Sequence, residues 1–499
     1  MTEVMGEAQN ARHVTTAHFC GRFADFAIEL GCFFDDEDAR LGSFAFEHER
    51  RRRAGKRATN DYYIVVEVHC QQRKWTLERA KAISSGGRCH CRGRCWPRGE
   101  ADGFPYRIRI AHQEMIFTNA RLIFPDGIRD GLEVVVEGGK IAAIHEQTRV
   151  RGKDVVDVDG NFVAPGFIDL HVHGALGRDT MEASVEAFRA ICDFHASGGT
   201  TSLLLTTTTA PIDKLVELLA AVRGCRSSIS AIAGVHVEGP FISKAKRGAQ
   251  RAEFIQDPLP AHVQQLLEHA DVIKRVTIAP ELSGAVEAIE NFYMREISVS
   301  GGHSDAWDED ARATFERGMR SVTHTFNCMS NARHRGVYRI GGLLEFALSE
   351  PQISCELIAD GHHVSPTLMK MLYCAKGPGG ICLVTDATAG AGLPDGSHFS
   401  LFGNDCIVEA GVCLLADRSA LAGSAAQMIH LVRTMMTKIN VPLHEAVAMA
   451  TQNPARAIGL ETKGRLTIGA DADFVVLSPD LQILRTFVAC EEVWRSQRQ

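Results

Sequence analysis

After Pro165-Gly166 the chain passes eight times through an apolar strand-like segment, a loop and, in most cases, an amphipathic stretch. This rhythm limits the fold more than any other feature. The candidate strands are Phe167–Val172, Thr200–Thr206, Ala231–Val237, Val276–Pro280, Glu296–Ser300, Ser321–Thr325, Ser354–Ala359 and Ile381–Thr385. Helical periodicity marks Val185–His195, Ile212–Val222, His262–Ala270, Asp308–Arg317 and Pro366–Ala375. Strands that alternate with helices pair in parallel through crossovers. Eight such units predict an α/β fold with a closed (β/α)8 barrel, although a doubly wound open sheet shows the same alternation.

The flanks read differently. Met115–Phe124 has strand character and runs into the turn residues Pro125-Asp126-Gly127. Leu132–Glu137 and Lys140–His145 read as strands around a Gly138-Gly139 hairpin turn. Beyond the barrel, Asp405–Leu415, Asp473–Ser478 and Ile483–Val488 are β-like, whereas Ser424–Lys438 and Leu443–Ala450 read as helices. A small β-sandwich is therefore expected from residues 115–164, 391–420 and 459–499, split around a barrel built from 165–390 and 421–458. Residues 1–114 carry six of the fifteen cysteines, the run Arg50–Arg53 and no sustained periodicity. Cys89, Cys91 and Cys95 lie close together beside His90, but not at the spacing of paired Cys-x-x-Cys zinc knuckles. The segment reads as a poorly ordered extension. A further reading makes it upstream sequence translated from a misplaced start, with Met115 as the beginning.

Composition narrows the partners. A formal net charge of -7 gives no general attraction to nucleic acid or an anionic membrane, so an anionic substrate needs a local basic site. No apolar stretch is long enough to span a bilayer, and the N-terminus lacks the basic-then-apolar pattern of a signal peptide. Cysteines scattered without a compact framework read as reduced thiols in a cytoplasmic protein.

Chemistry-bearing residues gather at the C-terminal ends of the proposed strands: His171 and His173, Glu238, His303, His324 and Asp386. Residues two apart on a strand face one side, so His171 and His173 can converge. Barrel enzymes carry their sites at this face. Four imidazoles and two carboxylates suit a borderline-soft divalent ion, zinc or iron. Taken singly, each has a plain reading as a packed or capping residue; the signal lies in the set. Asp386 is the choice for the base that takes a proton from water and passes it to the leaving nitrogen. No serine or cysteine with an adjacent base offers a rival nucleophile.

The motifs Pro165-Gly166-Phe167-Ile168-Asp169-Leu170-His171-Val172-His173-Gly174 and Leu383-Val384-Thr385-Asp386-Ala387 resemble the amidohydrolase superfamily. His236-Val237-Glu238-Gly239-Pro240-Phe241, Gly302-His303-Ser304, Thr323-His324-Thr325-Phe326-Asn327 and Ala359-Asp360-Gly361-His362-His363-Val364 are similar to N-acetylglucosamine-6-phosphate deacetylases. The resemblance covers Met115 to Val493. It implies a (β/α)8 barrel with a small β-sandwich, in a homodimer. It implies hydrolysis of the acetamide of N-acetyl-D-glucosamine 6-phosphate to D-glucosamine 6-phosphate and acetate, or of the galactosamine epimer, with one or two divalent ions per chain. By resemblance Glu238, His303 and His324 hold the main ion, His171 and His173 match a second position, and Asp386 matches the base. Asn327 and the backbone of Cys328, where the family usually has alanine, match phosphate contacts. His363 matches a sugar contact, with Asp360 and His362 in the same loop. Leu421, Ala422 and Gly423 match a loop that meets the substrate through its backbone. Arg335 resembles an arginine supplied across the dimer interface, and Arg333 or Arg339 are alternatives because the surrounding residues depart from the pattern.

One departure bears on mechanism. The family usually has histidine in the motif that here reads Arg247-Gly248-Ala249-Gln250, next to Ala249 in the substrate site. Gln250 can donate a hydrogen bond but carries no charge. A complete His-x-His beside a missing histidine suggests that a second ion polarises the acetyl carbonyl instead; a slightly different substrate is the other reading. Rival assignments are a dihydroorotase- or dipeptidase-like amidohydrolase and a non-catalytic barrel scaffold. Against the first, no lysine ends a neighbouring strand to bridge two ions; against the second, every ligand is present.

Overall fold

The computed structural model describes residues 115–147, 155–401 and 403–497, together with the backbone of five short strands within 1–110. The chain divides into two compact units, Met1–Ile110 and Ala111–Gln499. In the first, Thr16–Ala17, Phe44–Glu47, Tyr63–Cys70, Arg73–Thr76 and Ala80–Lys81 form one antiparallel sheet. The Cys89, His90, Cys91 and Cys95 cluster lies outside the described residues, as do the remaining expectations for that segment.

The second unit is built on eight parallel strands paired in chain order: β1 Phe167–Val172, β2 Thr200–Thr206, β3 Ile232–Glu238, β4 Ile273–Ile278, β5 Ser298–Gly301, β6 Met319–Val322, β7 Ser354–Leu357 and β8 Ile381–Leu383. Past β8 the chain continues beside β1. The Asp386 amide donates to the His171 carbonyl at 2.9 Å, and Ala387 bridges Val172. Sequential parallel pairing with this return makes the sheet a (β/α)8 barrel rather than an open doubly wound sheet. The helices α1 Val185–Ser197, α2 Ile212–Cys225, α3 Pro260–Leu267, α4 Ala285–Tyr293, α5 Asp308–Phe315, α6 Leu343–Ser349 and α7 Pro366–Lys376 follow β1 to β7 in turn, and α8 Met428–Ile439 follows β8. Ser184 caps α1 by accepting the Ala187 amide.

Apolar strand residues such as Leu203, Leu205, Val235 and Val237 pack into the helix layer. The strands also bury an apolar cluster around Leu204, Ile358, Cys382 and Val384, and beside it a polar network. Arg275 donates to Ser300 and Ser321, Ser300 and Thr277 both meet Thr323, and His236 meets Thr277 at 2.7 Å. In low dielectric a connected network of this kind is rigid, because each lost bond strands a buried dipole.

The flanking strands form an eight-stranded sheet that draws on both ends of the unit. Its order runs Glu491–Arg495, Ile483–Val488, Phe474–Leu477, Phe162–Pro165, Met115–Phe124, Gly127–Glu137 and Lys140–Glu146, with Val155–Asp157 beside Met115–Phe124. Phe117 and Phe487 lie three strands apart in that order, roughly 14 Å in a flat sheet. Their rings nevertheless meet at 5.1 Å, so the sheet curls over its own core. Residues 391–420, grouped in the sequence reading with this domain, pair elsewhere. His398–Leu401, Asn404–Glu409, Val412–Leu415 and Leu421–Ser424 make a separate antiparallel sheet with its own core around Phe399, Cys406 and Cys413. Ser424 ties it to the barrel by bridging Ala387. Alternating apolar residues specify a strand but not its partner.

Candidate metal and substrate site

The barrel rim brings the sequence-predicted residues together because each follows or ends a strand. Glu238 is the last residue of β3. His303, His324 and Asp386 lie two or three residues past β5, β6 and β8, at φ of 47°, 31° and 50°. This left-handed backbone costs about 1–3 kcal/mol per residue and concentrates at functional sites. It turns the chain sharply enough to aim each side chain inward.

Glu238 is the hub. Its Oε1 lies 3.2 Å from His303 Nε2, 3.3 Å from His324 Nε2 and 3.4 Å from His171 Nε2, while Oε2 lies 3.3 Å from His173 Nε2. Two triads share this carboxylate, His171/His173/Glu238 and Glu238/His303/His324, with ligand atoms within 4.8 Å of one another. Nε2 of His171 is 3.1 Å from that of His173, and the same distance separates His303 from His324. His303 Nδ1 meets the Lys246 carbonyl at 2.8 Å; a carbonyl only accepts, so the ring hydrogen sits on Nδ1 and Nε2 offers a lone pair. His171 Nδ1 likewise faces the Glu356 carboxylate at 3.3 Å. Among the described residues, buried Glu238 Oε1 accepts no hydrogen bond. An orphaned carboxylate oxygen ringed by imidazole nitrogens is the donor set of a divalent cation, and the residues fit one.

Electrostatics agree with this crowding. Burial opposes charge on Glu238 and on His171. Facing each other, they nonetheless hold Glu238 well below the carboxylate range and His171 well above the imidazole range. Asp386 Oδ1 is 3.3 Å from His173 Nε2 and 3.5 Å from His171 Nε2. Burial pushes its pKa up, but the imidazoles of His171 and His173 outweigh burial and leave it strongly acidic.

These groups open into a cavity of about 230 Å³. Its walls include His173, Glu238, His303, His324 and Asp386, and also Ala249, Gln250, Asn327, Cys328, His363, Leu421 and Gly423. His171 lies buried behind them. Three expected substrate residues do not line it. Asp360 stands behind His363, accepting from its Nδ1 at 2.7 Å. Ala422 is buried in its strand, with its carbonyl taken by Thr388. Arg335 sits on the exposed hairpin Arg333–Arg335/Tyr338–Ile340, pairs with Glu309 at 2.7 Å and stacks on Trp307. Within one chain, therefore, none of Arg333, Arg335 and Arg339 reaches the cavity wall.

Sequence reasoning missed the supports behind the rim. Glu356 on β7 touches His171 Nδ1, the His324 amide (3.1 Å) and Arg275 on β4 (3.0 Å). Thr388, Leu401 and Ala420 join the cavity wall. Gln250 is held between the Thr209 amide and Glu238. A charged residue within a strand segment was the one available signal for Arg275 and Glu356.

Residues 162–493 match the model of the amidohydrolase family. The chain is 34% identical over 384 residues to the N-acetylglucosamine-6-phosphate deacetylase of Lysinibacillus sphaericus, covering 75% of this chain and 96% of that one. It is 32% identical over 373 residues to the N-acetylgalactosamine-6-phosphate deacetylase of Escherichia coli, covering 74% and 96%. Among solved structures, a mutant of the Mycobacterium smegmatis N-acetyl-D-glucosamine-6-phosphate deacetylase in complex with N-acetyl-D-glucosamine-6-phosphate superposes with a TM-score of 0.71 at 29% identity, covering 76% of this chain and 99% of that one. With the motifs, the barrel and the two triads, these matches place the chain in the amidohydrolase family, in the N-acetylglucosamine-6-phosphate deacetylase group.

Proposed function

We propose that the chain hydrolyses the acetamide of N-acetyl-D-glucosamine 6-phosphate, releasing acetate and D-glucosamine 6-phosphate, in amino-sugar breakdown in the cytoplasm. The observation that carries this reading is the convergence of Glu238, His171, His173, His303 and His324 beside Asp386 at one cavity. Glu238, His303 and His324 would hold the principal divalent ion, zinc by preference and iron as the alternative, and His171 with His173 a second. Such ions lower the pKa of water to about 7 and polarise a carbonyl, a charge that neutral Gln250 does not supply. Asp386 is ionised before reaction, so it accepts the proton of the attacking water. It then delivers that proton to the amine as the C–N bond breaks. His363, fixed by Asp360, orients the sugar, and Asn327 with the Cys328 backbone receives the phosphate. Ala249, Leu421 and Gly423 shape the wall. Ala422 backs it.

We also propose a homodimer. Val337 and Tyr338, 87% and 71% exposed, tip the hairpin that carries Arg335, and a partner's cavity would take that arginine. The described cysteines are free thiols, as a reducing compartment keeps them, and no described helix is long and apolar enough to cross a membrane.

Acetate release tests the reading. Purified protein is given N-acetylglucosamine, N-acetylgalactosamine and their 6-phosphates, with metal content measured on the same sample. Turnover confined to the phosphorylated sugars is expected, with the glucosamine epimer ahead. The ratio between epimers decides between the glucosamine form and the galactosamine form named for the Escherichia coli relative. No acetate from either phosphate by metal-loaded protein overturns the proposal.

A further inference from the structure

Gln250 is 3% exposed, and both ends of its amide are committed. Its Oε1 accepts the Thr209 amide at 2.8 Å. That contact identifies the oxygen and leaves Nε2 as the atom 2.8 Å from Glu238 Oε2. The backbone on either side is pinned as well. The Gln250 amide donates to the Arg247 carbonyl, its own carbonyl accepts from the Arg247 guanidinium, and the Ala249 carbonyl accepts from Asn404. Thr209 follows β2 and Glu238 ends β3, so this one side chain stitches two strand ends together through the loop that follows β3.

The two oxygens of Glu238 have different company. Oε1 faces His171, His303 and His324; Oε2 faces His173 and Gln250. A glutamate has three rotatable bonds, and in a site built only from imidazoles its carboxylate can turn about the last of them. The Gln250 hydrogen bond fixes that rotation, holding Oε2 beside His173 and leaving Oε1 to face His171, His303 and His324. An amide suits the task because it stays a neutral donor at every working pH and leaves the negative charge on the carboxylate. A glutamine placed to grip substrate would aim Nε2 away from the hub, not at it.

We infer that Gln250 is a positioning residue for Glu238, setting the affinity of the centre for its cation, and is not primarily a substrate grip. The inference rests on the reading that Glu238 holds a divalent ion. It is independent of which sugar is hydrolysed.

The test is zinc affinity of the full chain, stripped of metal and titrated with Zn²⁺ against a chromophoric chelator. Wild type is compared with Gln250→Met, which keeps length and removes both hydrogen bonds, and with Gln250→Glu, which puts an acceptor against Oε2. Partners that orient metal ligands are typically worth about 10–100-fold in affinity. Both variants are expected to lose that much, with KM at saturating zinc moving by a smaller factor. Zinc affinity unchanged in both, or a rise in KM larger than the loss of zinc affinity, overturns the inference. If Gln250→Met fails to fold, as judged by circular dichroism, Gln250→Asn replaces it; the shorter amide cannot span Thr209 and Glu238, so the same loss is required. A failed sugar assay with the zinc result intact strikes the proposed activity alone, and the converse strikes this inference alone.

Discussion

Replacing Arg275 by Met will destabilise the barrel about as much as a large apolar truncation in its core. Arg275 and Glu356 are each 1% exposed and 3.0 Å apart. Burial pushes the Glu356 carboxyl up; the Arg275 charge, ahead of His171 and His236, pulls it down to about 2. Without the guanidinium, the remaining contacts of Glu356 with His171 Nδ1 and the His324 amide must offset a buried charge alone. Removing one partner of such a pair costs about 3–5 kcal/mol. That is a large part of the roughly 5–15 kcal/mol that holds a domain folded. Ser300 and Ser321 also lose their donor, which adds to the loss. Urea unfolding of metal-free wild type, Arg275→Met and the double variant Arg275→Met/Glu356→Leu measures it, because a lower midpoint at unchanged slope reports stability alone. The double variant carries no unpaired charge and is expected to recover part of the loss. A single variant within about 1 kcal/mol of wild type, or a double variant worse than the single, would refute the reasoning.

Two further outcomes follow from the same coordinates. Asp386→Asn should keep its zinc while turnover falls by about 10²–10⁴-fold, the usual weight of a general acid–base group; wild-type turnover in that variant removes Asp386 from the proton path. His195 in α1 is fully buried, and burial lowers its pKa from 6.5 to about 4, against a backbone contact from Gly174. The unfolded chain therefore takes up this proton first as pH falls. The contribution is fully present above about pH 6.5 and is lost progressively down to about pH 4, amounting to about 2 kcal/mol between pH 7 and pH 5. Unfolding free energies at the two pH values should show that much less acid sensitivity in His195→Leu, and an identical slope would show that the ring is not held neutral.

Much of this molecule could be read in the chain, and most of the failures share a cause. β1, β2 and Ile483–Val488 fall where expected because each is a continuous run with a glycine, a proline or a polar turn at its edge. β4 begins three residues earlier than the pattern indicates, at Ile273, because Lys274 and Arg275 argue against a buried strand until Glu356 is seen opposite. α6, seven residues long, is too short for its periodicity to stand out beside the neighbouring turns, whereas α4, at nine residues longer than α3 and α5, was missed without such a reason. The rim residues were legible because histidines and acids that recur at successive strand ends of a barrel converge on one point, where a cation alone balances them. Glu356, Thr209 and the hold of Gln250 on Glu238 were not, since each acts through a contact between strands far apart in the chain. The grouping of residues 391–420 failed similarly: alternation shows that a strand exists and is silent on where it pairs.

The hydrogen bond that draws the last strand back to the first runs from the Asp386 amide to the His171 carbonyl. Asp169, whose carboxylate accepts from Thr385, buttons the same junction. Fold and chemistry thus share one fastening. The amide proton of residue 386 should exchange with deuterium only when the cylinder splits, and whenever it splits the acid and the first imidazole part company. A motion that opened this seam would move Asp386 away from His171, so opening at this point and the proton transfer assigned to Asp386 exclude one another.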